Sequence, residues 1–191
     1  MPKDRISSLF LAEVRRDLLP YAGRVRRCLQ LLSEREIWWR PNGASNSAGN
    51  LVLHLCGNMR QWILAGLRGE TDLRARDAEF AERGPNSKSA AGRKDYSRRG
   101  LLRRLDSTMR ETDTVLRRLS PEALTRRYVI QGFQVTGLAA VAHVYSHFTY
   151  HAGQILYLTK LRHGRDLRFT KLPPQAKRSP DRQRAARKAS R

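Results

Sequence analysis

Four stretches of this sequence repeat apolar residues at steps of three and four, and that period restricts the chain to packed helices. The first, residues 5–32, aligns Ile6, Phe10, Val14, Leu18, Tyr21, Val25, Cys28, Leu29 and Leu32 on one face, with Pro20 as an expected kink. The second runs from a cap at Ser47 or Asn46 to about Leu67. Its middle, LVLHLC, is apolar on nearly every side and therefore belongs at the centre. The third, about 97–119, repeats Leu101, Leu105, Met109, Thr112, Leu116 and Leu119. The fourth runs from a Thr136 cap to His163, with Gly164 at its stop. Between them, Ser33 and Glu36 form a capping box that opens a short turn, and 40–46 is a loop by its turn chemistry. RRYVIQGFQV (126–135) alternates weakly around a glycine, which predicts a small hairpin. Residues 69–96 form a connection far longer than antiparallel neighbours need, so it should cross the bundle. The expected fold is all-α, a four-helix bundle over residues 1–164 with a long crossover between the second and third helices.

The balance of 38 Lys+Arg against 17 Asp+Glu gives a formal charge of +21 over 191 residues and raises nucleic acid as a partner. Its distribution argues otherwise. Residues 165–191 carry ten basic and two acidic residues with no apolar period, as expected of a basic, disordered tail. The remainder is spread over helix faces. The stripe Arg98, Arg99, Arg103, Arg104, Arg110, Arg117 and Arg118 is expected to be a solvated outer face. Nucleic-acid contact is thus expected only through the tail. No window is long and apolar enough to span a membrane, so no membrane insertion is expected. The N-terminal apolar run is too short for a secretory signal. Two cysteines without metal spacing or a disulfide framework suit a reducing, cytoplasmic setting.

Three of the five histidines, His143, His147 and His151, step by four along the fourth helix, so their imidazoles share one face. His54 sits in the most apolar part of the second helix, where an unpaired imidazole is costly to bury. Asn50, Asn58 and Gln61 share the azimuth of His54, and Gln154 falls between those of His143 and His147. Two otherwise apolar helices each carry a polar stripe, and facing stripes would let three imidazoles converge. Gly57 and Gly153 would let the backbones approach. Three neutral imidazoles with no fourth protein ligand suit a divalent transition metal, zinc or nickel before others, with one position open. The alternative is a set of satisfied core and surface histidines. The absence of Glu-x-x-His pairs on these faces disfavours a carboxylate-bridged di-iron centre, and the absence of HExxH excludes a zincin protease. Cys56 points away from His54 and is a small core residue.

SNSAGNLVLHLCGNMRQWI and HVYSHFTYHAGQILYLTK together resemble the DinB/YfiT-like family of metal-binding bundles, in particular a branch of unknown function; the likeness covers about residues 8–163. The run Thr71–Arg76 followed by Glu79-Phe80 is similar to that branch more weakly. The resemblance implies an up-down-down-up order, His54, His147 and His151 as the metal ligands, and a possible homodimer. His143, one turn before the pair, is left as a second-sphere or substrate group alongside Asn50, Asn58, Gln61 and Gln154. The family often has Arg before the Gly-Gln, where this chain has Ala152. The implied chemistry is a thiol-dependent S-transferase or a metal-dependent hydrolase acting on a small molecule with a low-molecular-weight thiol. A non-catalytic metal-binding or sensing protein is the alternative. Arg74 and Arg76 could clamp an anionic substrate, but ion pairs with Asp72, Asp77 and Glu79 that pin the crossover are the preferred reading.

Overall fold

The computed structural model describes residues 2–169 apart from 86, 87, 90, 91 and 94; most of the expected tail, 170–191, lies outside the described residues. The chain is mainly helical. Helix α1 (Pro2–Leu31) continues unbroken through Pro20, which faces solvent, where water can meet the carbonyl that proline leaves free. A one-turn helix α2 (Glu34–Ile37) opens on the Ser33–Glu36 capping box. Helix α3 (Ala48–Met59) opens on a second capping box, Ser47 with Asn50. It is followed by α4 (Arg76–Ala81), α5 (Arg98–Arg118), α6 (Pro121–Thr125) and α7 (Gly137–His163).

The expected hairpin is present: β3 (Arg127–Ile130) pairs antiparallel with β4 (Phe133–Thr136), with Gln131 and Gly132 both at positive φ in the turn. A shorter antiparallel pair, β1 (Lys88–Ser89) with β2 (Gly92–Arg93), lies within the crossover. The architecture is therefore mainly helical with two small hairpins, rather than wholly α. Both hairpins serve as connections between helices.

Helix α1 packs against α5 and α7, and α3 packs against the same two helices. Eleven of the twelve residues of α3 are buried, as an all-round apolar helix at the centre requires. Val25, Leu29, Leu55, Leu101, Leu105, Leu116, Phe148 and Ile155 form the core between these helices. Ile6 is 70 % exposed, against the expectation that it faces the core. A 30-residue helix is about 45 Å long, longer than its partners, and its first turns overhang the core. The arginines of α5 mostly face outward as expected; Arg117 pairs with Asp113, and Arg103 with Asp95. At the other end of the chain, Leu167 and Phe169 pack against the core. No helix among the described residues is long and apolar enough to cross a membrane.

The second helix holds one departure from expectation. Directly after Met59 the chain forms a π turn over Arg60–Ala65, in place of regular α-helix to Leu67. The wider turn re-aims Trp62 and Ile63, which are buried, one turn beyond the polar stripe of α3. Both cysteines are free and buried. Burial pushes the Cys28 thiol up and the Cys56 thiol up to about 12, so neither is ionised near neutrality. At pH 8 an aromatic disulfide reagent should react with neither thiol of the native chain and with both after denaturation. Rapid labelling of the folded protein would contradict this packing.

Candidate metal centre

The polar stripes of α3 and α7 face each other. His54 Nε2 lies 3.0 Å from His147 Nε2, and the His151 ring stands edge-on to both, its centroid 5.0 Å and 4.5 Å from theirs. One ring nitrogen from each of His54, His147 and His151 falls within a 4.8 Å set. A tetrahedral ion with metal–nitrogen bonds of about 2.1 Å separates its ligand nitrogens by roughly 3.4 Å, so small side-chain adjustments close this cluster around one ion.

The far nitrogens of two rings are already committed. His54 Nδ1 lies 2.9 Å from Glu79 Oε2, an acceptor, and 3.0 Å from Arg74 Nη2, a donor; the tautomer with its proton on Nδ1 bonds Glu79 and turns the Nε2 lone pair to the cluster. His151 Nδ1 lies 2.6 Å from Gln154 Oε1, an acceptor, which leaves its Nε2 lone pair free. His147 Nδ1 is buried with no hydrogen-bond partner. Two Nε2 atoms 3.0 Å apart need either a shared proton or a cation between them, because bare lone pairs repel. Burial pushes His147 down to about 3, helped by His151, His54, His143 and Arg74. Burial likewise lowers His151. Both rings are therefore neutral at pH 7, the state in which an imidazole is a ligand.

Glu79 was legible only as a pinning residue of the crossover. It lies on α4, carried there by the connection, and its carboxylate forms a fork with Arg74: Nε donates to Oε1 at 2.9 Å and Nη2 to Oε2 at 3.0 Å. The Arg74 and Glu79 side chains are only 4 % and 11 % exposed. Burial of such a pair is costly unless its remaining donors are met. Here they are, since Arg74 Nη1 donates to Gln61 Oε1 at 2.8 Å. Gln61 Nε2 donates to Asp72 Oδ2 at 2.6 Å, and Asp72 Oδ1 accepts the backbone N–H of Arg74 at 3.0 Å. The ion-pair reading of Arg74 thus describes its contacts, with Glu79 as the partner.

The pair fits because Gly57 has no side chain. A Cβ there would stand 1.9 Å from Glu79 Oε1 and 3.0 Å from Arg74 Nε. The close approach at Gly57 is between helix and crossover. Gly153 meets nothing within 4 Å.

The other expected residues divide by contact. Asn58 Nδ2 donates to His143 Nε2 at 3.2 Å, and His143 stacks on Trp62 with ring centroids 3.9 Å apart. His143 is thereby held beside His147 at 5.5 Å, outside the three-nitrogen set. Asn50 and Gln61 do not touch an imidazole in the contacts described. Asn50 Nδ2 instead donates to the backbone carbonyls of Glu79 and Glu82, at 2.8 and 3.0 Å, tying the crossover to the start of α3. Phe80 covers one face of His54 at 4.6 Å, and the exposed Arg76 lies over Phe80 at 5.1 Å. Tyr150 meets His151 edge-on at 5.0 Å. His163, the fifth histidine, bonds the Leu31 carbonyl at 3.1 Å at the far end of α7.

Gly57→Ala separates this account from ordinary helix propensity. Alanine inside a helix should stabilise by up to about 1 kcal/mol. The Cβ at this position instead displaces the Glu79 carboxylate, so the variant should melt below wild type and bind metal roughly 10-fold or more weakly. A raised melting temperature with unchanged metal affinity would contradict the described contacts.

A family model described as a protein of unknown function (DUF1572) matches residues 5–176. No curated protein matches the sequence. Several solved structures share the fold, three of which follow. A DinB-like protein from Bacillus subtilis, YjoA, is 19 % identical at a TM-score of 0.58, over 84 % of this chain and 95 % of its own. A DinB-like protein from Bacillus cereus is 12 % identical at 0.60, over 84 % and 95 %. A conserved protein from Enterococcus faecalis is 19 % identical at 0.60, over 84 % and 97 %. At these identities the likeness establishes the fold alone. The chain belongs to the DUF1572 family and has the DinB-like helical fold.

Proposed function

We propose that this DinB-like protein holds one divalent transition metal on His54, His147 and His151 and uses it in a thiol-dependent transfer or a hydrolysis. The observation that carries the reading is the convergence of three imidazole nitrogens from two helices, two of them with their opposite nitrogens bonded away from the cluster. Three neutral nitrogen donors suit zinc or nickel. A metal so held, with one position free, supplies an acidified water or thiol as nucleophile.

The chain's own groups do the positioning. In the metal-binding tautomer Glu79 Oε2 accepts from His54 Nδ1, with Arg74 Nη2 beside it, and Gln154 Oε1 accepts from His151 Nδ1, which orients both rings. Phe80 shields one face of His54 from water, and Trp62 stacks on His143 behind His147.

The same reading takes the four long helices as an up-down-down-up bundle over residues 1–164, with 165–191 as a basic tail. The support is the pairing of both α1 and α3 with α5 and α7, and the long connection from α3 to α5.

Metal analysis of the purified full chain should find about one divalent ion per wild-type chain and almost none in His147→Ala. Equal content in the two would overturn the assignment. Loaded wild type should then conjugate bacillithiol, mycothiol or glutathione to an electrophile, or hydrolyse a small ester or amide, with His147→Ala inert in either assay.

A further inference from the structure

We propose that the groove behind His151 binds an uncharged, aromatic small molecule. The groove has a volume of about 680 Å³, within the range of small-molecule sites. Its walls are Tyr150, Tyr157, Leu158 and Leu161 of α7, faced by Leu51 of α3 and Pro41 of the preceding loop. Polar groups are few: Ser45, Asn46 and Gln154. Gln154 is the residue whose Oε1 accepts from His151 Nδ1, and Tyr150 is the ring edge-on to His151. The groove therefore lies behind His151, on the side of the ring away from the nitrogen cluster.

Charge identifies the ligand class. Charged residues are 29 % of the sequence, so eleven lining residues taken at random would include about three. This groove has none. The cavity under the crossover, by contrast, is lined by Arg60, Arg74, Arg104, Glu70, Asp72 and Glu79. A charged ligand would give up its hydration in the uncharged groove and meet no counter-charge. An apolar ring meets two tyrosines and four apolar side chains.

Gly153 marks where the ring goes. It lies between Tyr150 and Tyr157 on the same helix face, and those rings are 65 % and 64 % exposed. Its φ is not positive, and a Cβ there would meet nothing within 4 Å, so neither backbone nor packing requires glycine. In mid-helix it costs about 1 kcal/mol relative to alanine. What its missing side chain provides is a slot between the two tyrosines.

The test uses two fluorescent probes that differ by one charged group, N-phenyl-1-naphthylamine and its sulfonated analogue 1-anilinonaphthalene-8-sulfonate. The full chain should bind the neutral probe, and raising salt from low to high should leave that affinity within twofold. Gly153→Arg, whose Cβ meets nothing within 4 Å and whose guanidinium charges the slot, should weaken neutral-probe binding at least tenfold. It should keep the wild-type metal content and a melting temperature no lower. His147→Ala should lose metal yet keep the probe, so failure of the groove and failure of the metal assignment read separately. The proposal is overturned if only the sulfonated probe binds and salt removes it, if Gly153→Arg binds like wild type, or if His147→Ala loses the neutral probe while folded. It is equally overturned if no probe enters and Gly153→Arg dissociates a wild-type dimer, which would make the groove a contact between copies.

Discussion

The hydrogen bond between His54 and Glu79 joins the central helix to the long crossover at the imidazole cluster itself. Glu79 is held in turn by Arg74, and the pair is nearly buried. Removing either partner would leave a charge with no counterpart in a low-dielectric place, at a cost of several kcal/mol. The crossover is therefore not a loose strap. Asn50 fastens its α4 end to the start of α3, Gln61 and Asp72 fasten its beginning, and the Arg74–Glu79 fork occupies the gap left by Gly57. Crossover geometry and histidine geometry are one arrangement, and a change in either is felt in the other.

The imidazole cluster supplies the opposite half of this balance. Its members are crowded, with burial and neighbouring rings lowering the proton affinity of His147. A metal ion held as proposed would have the Arg74-paired Glu79 carboxylate behind His54, one hydrogen bond away. Arg74 keeps that carboxylate oriented.

Much of this was legible in the sequence because it is local. Capping at Ser33, Ser47 and Thr136, the αL stop at Gly164, and the His147–His151 pair depend on spacing within a single helix, where geometry follows from residue number. The pairing of His54 with that pair was legible from the polar stripes and from the family resemblance. The role of Glu79 was not. It lies 25 residues from His54 in a connection without period, so no helical wheel relates the two. The π turn at Arg60–Ala65 was hidden for a different reason: its residues are ordinary helix formers, and one extra residue in a turn leaves no mark on composition. Gly57 and Gly153 looked equivalent on paper, yet one receives a buried ion pair and the other faces open space. The large positive charge proved the least informative feature, since many of the arginines lie on outer faces, several paired with carboxylates there, and the basic tail lies mostly outside the described residues.

Cobalt(II) titration of the metal-free full chain tests the central claim most directly, because visible absorption by cobalt reports the number and type of its ligands. The account predicts uptake of one ion per chain with the intense bands of a four-coordinate nitrogen site. Those bands should shift when a small thiol or anion is added, as the free position fills. A weak spectrum like that of the hydrated ion, or strong bands indifferent to added ligand, would contradict a three-histidine centre with an open position.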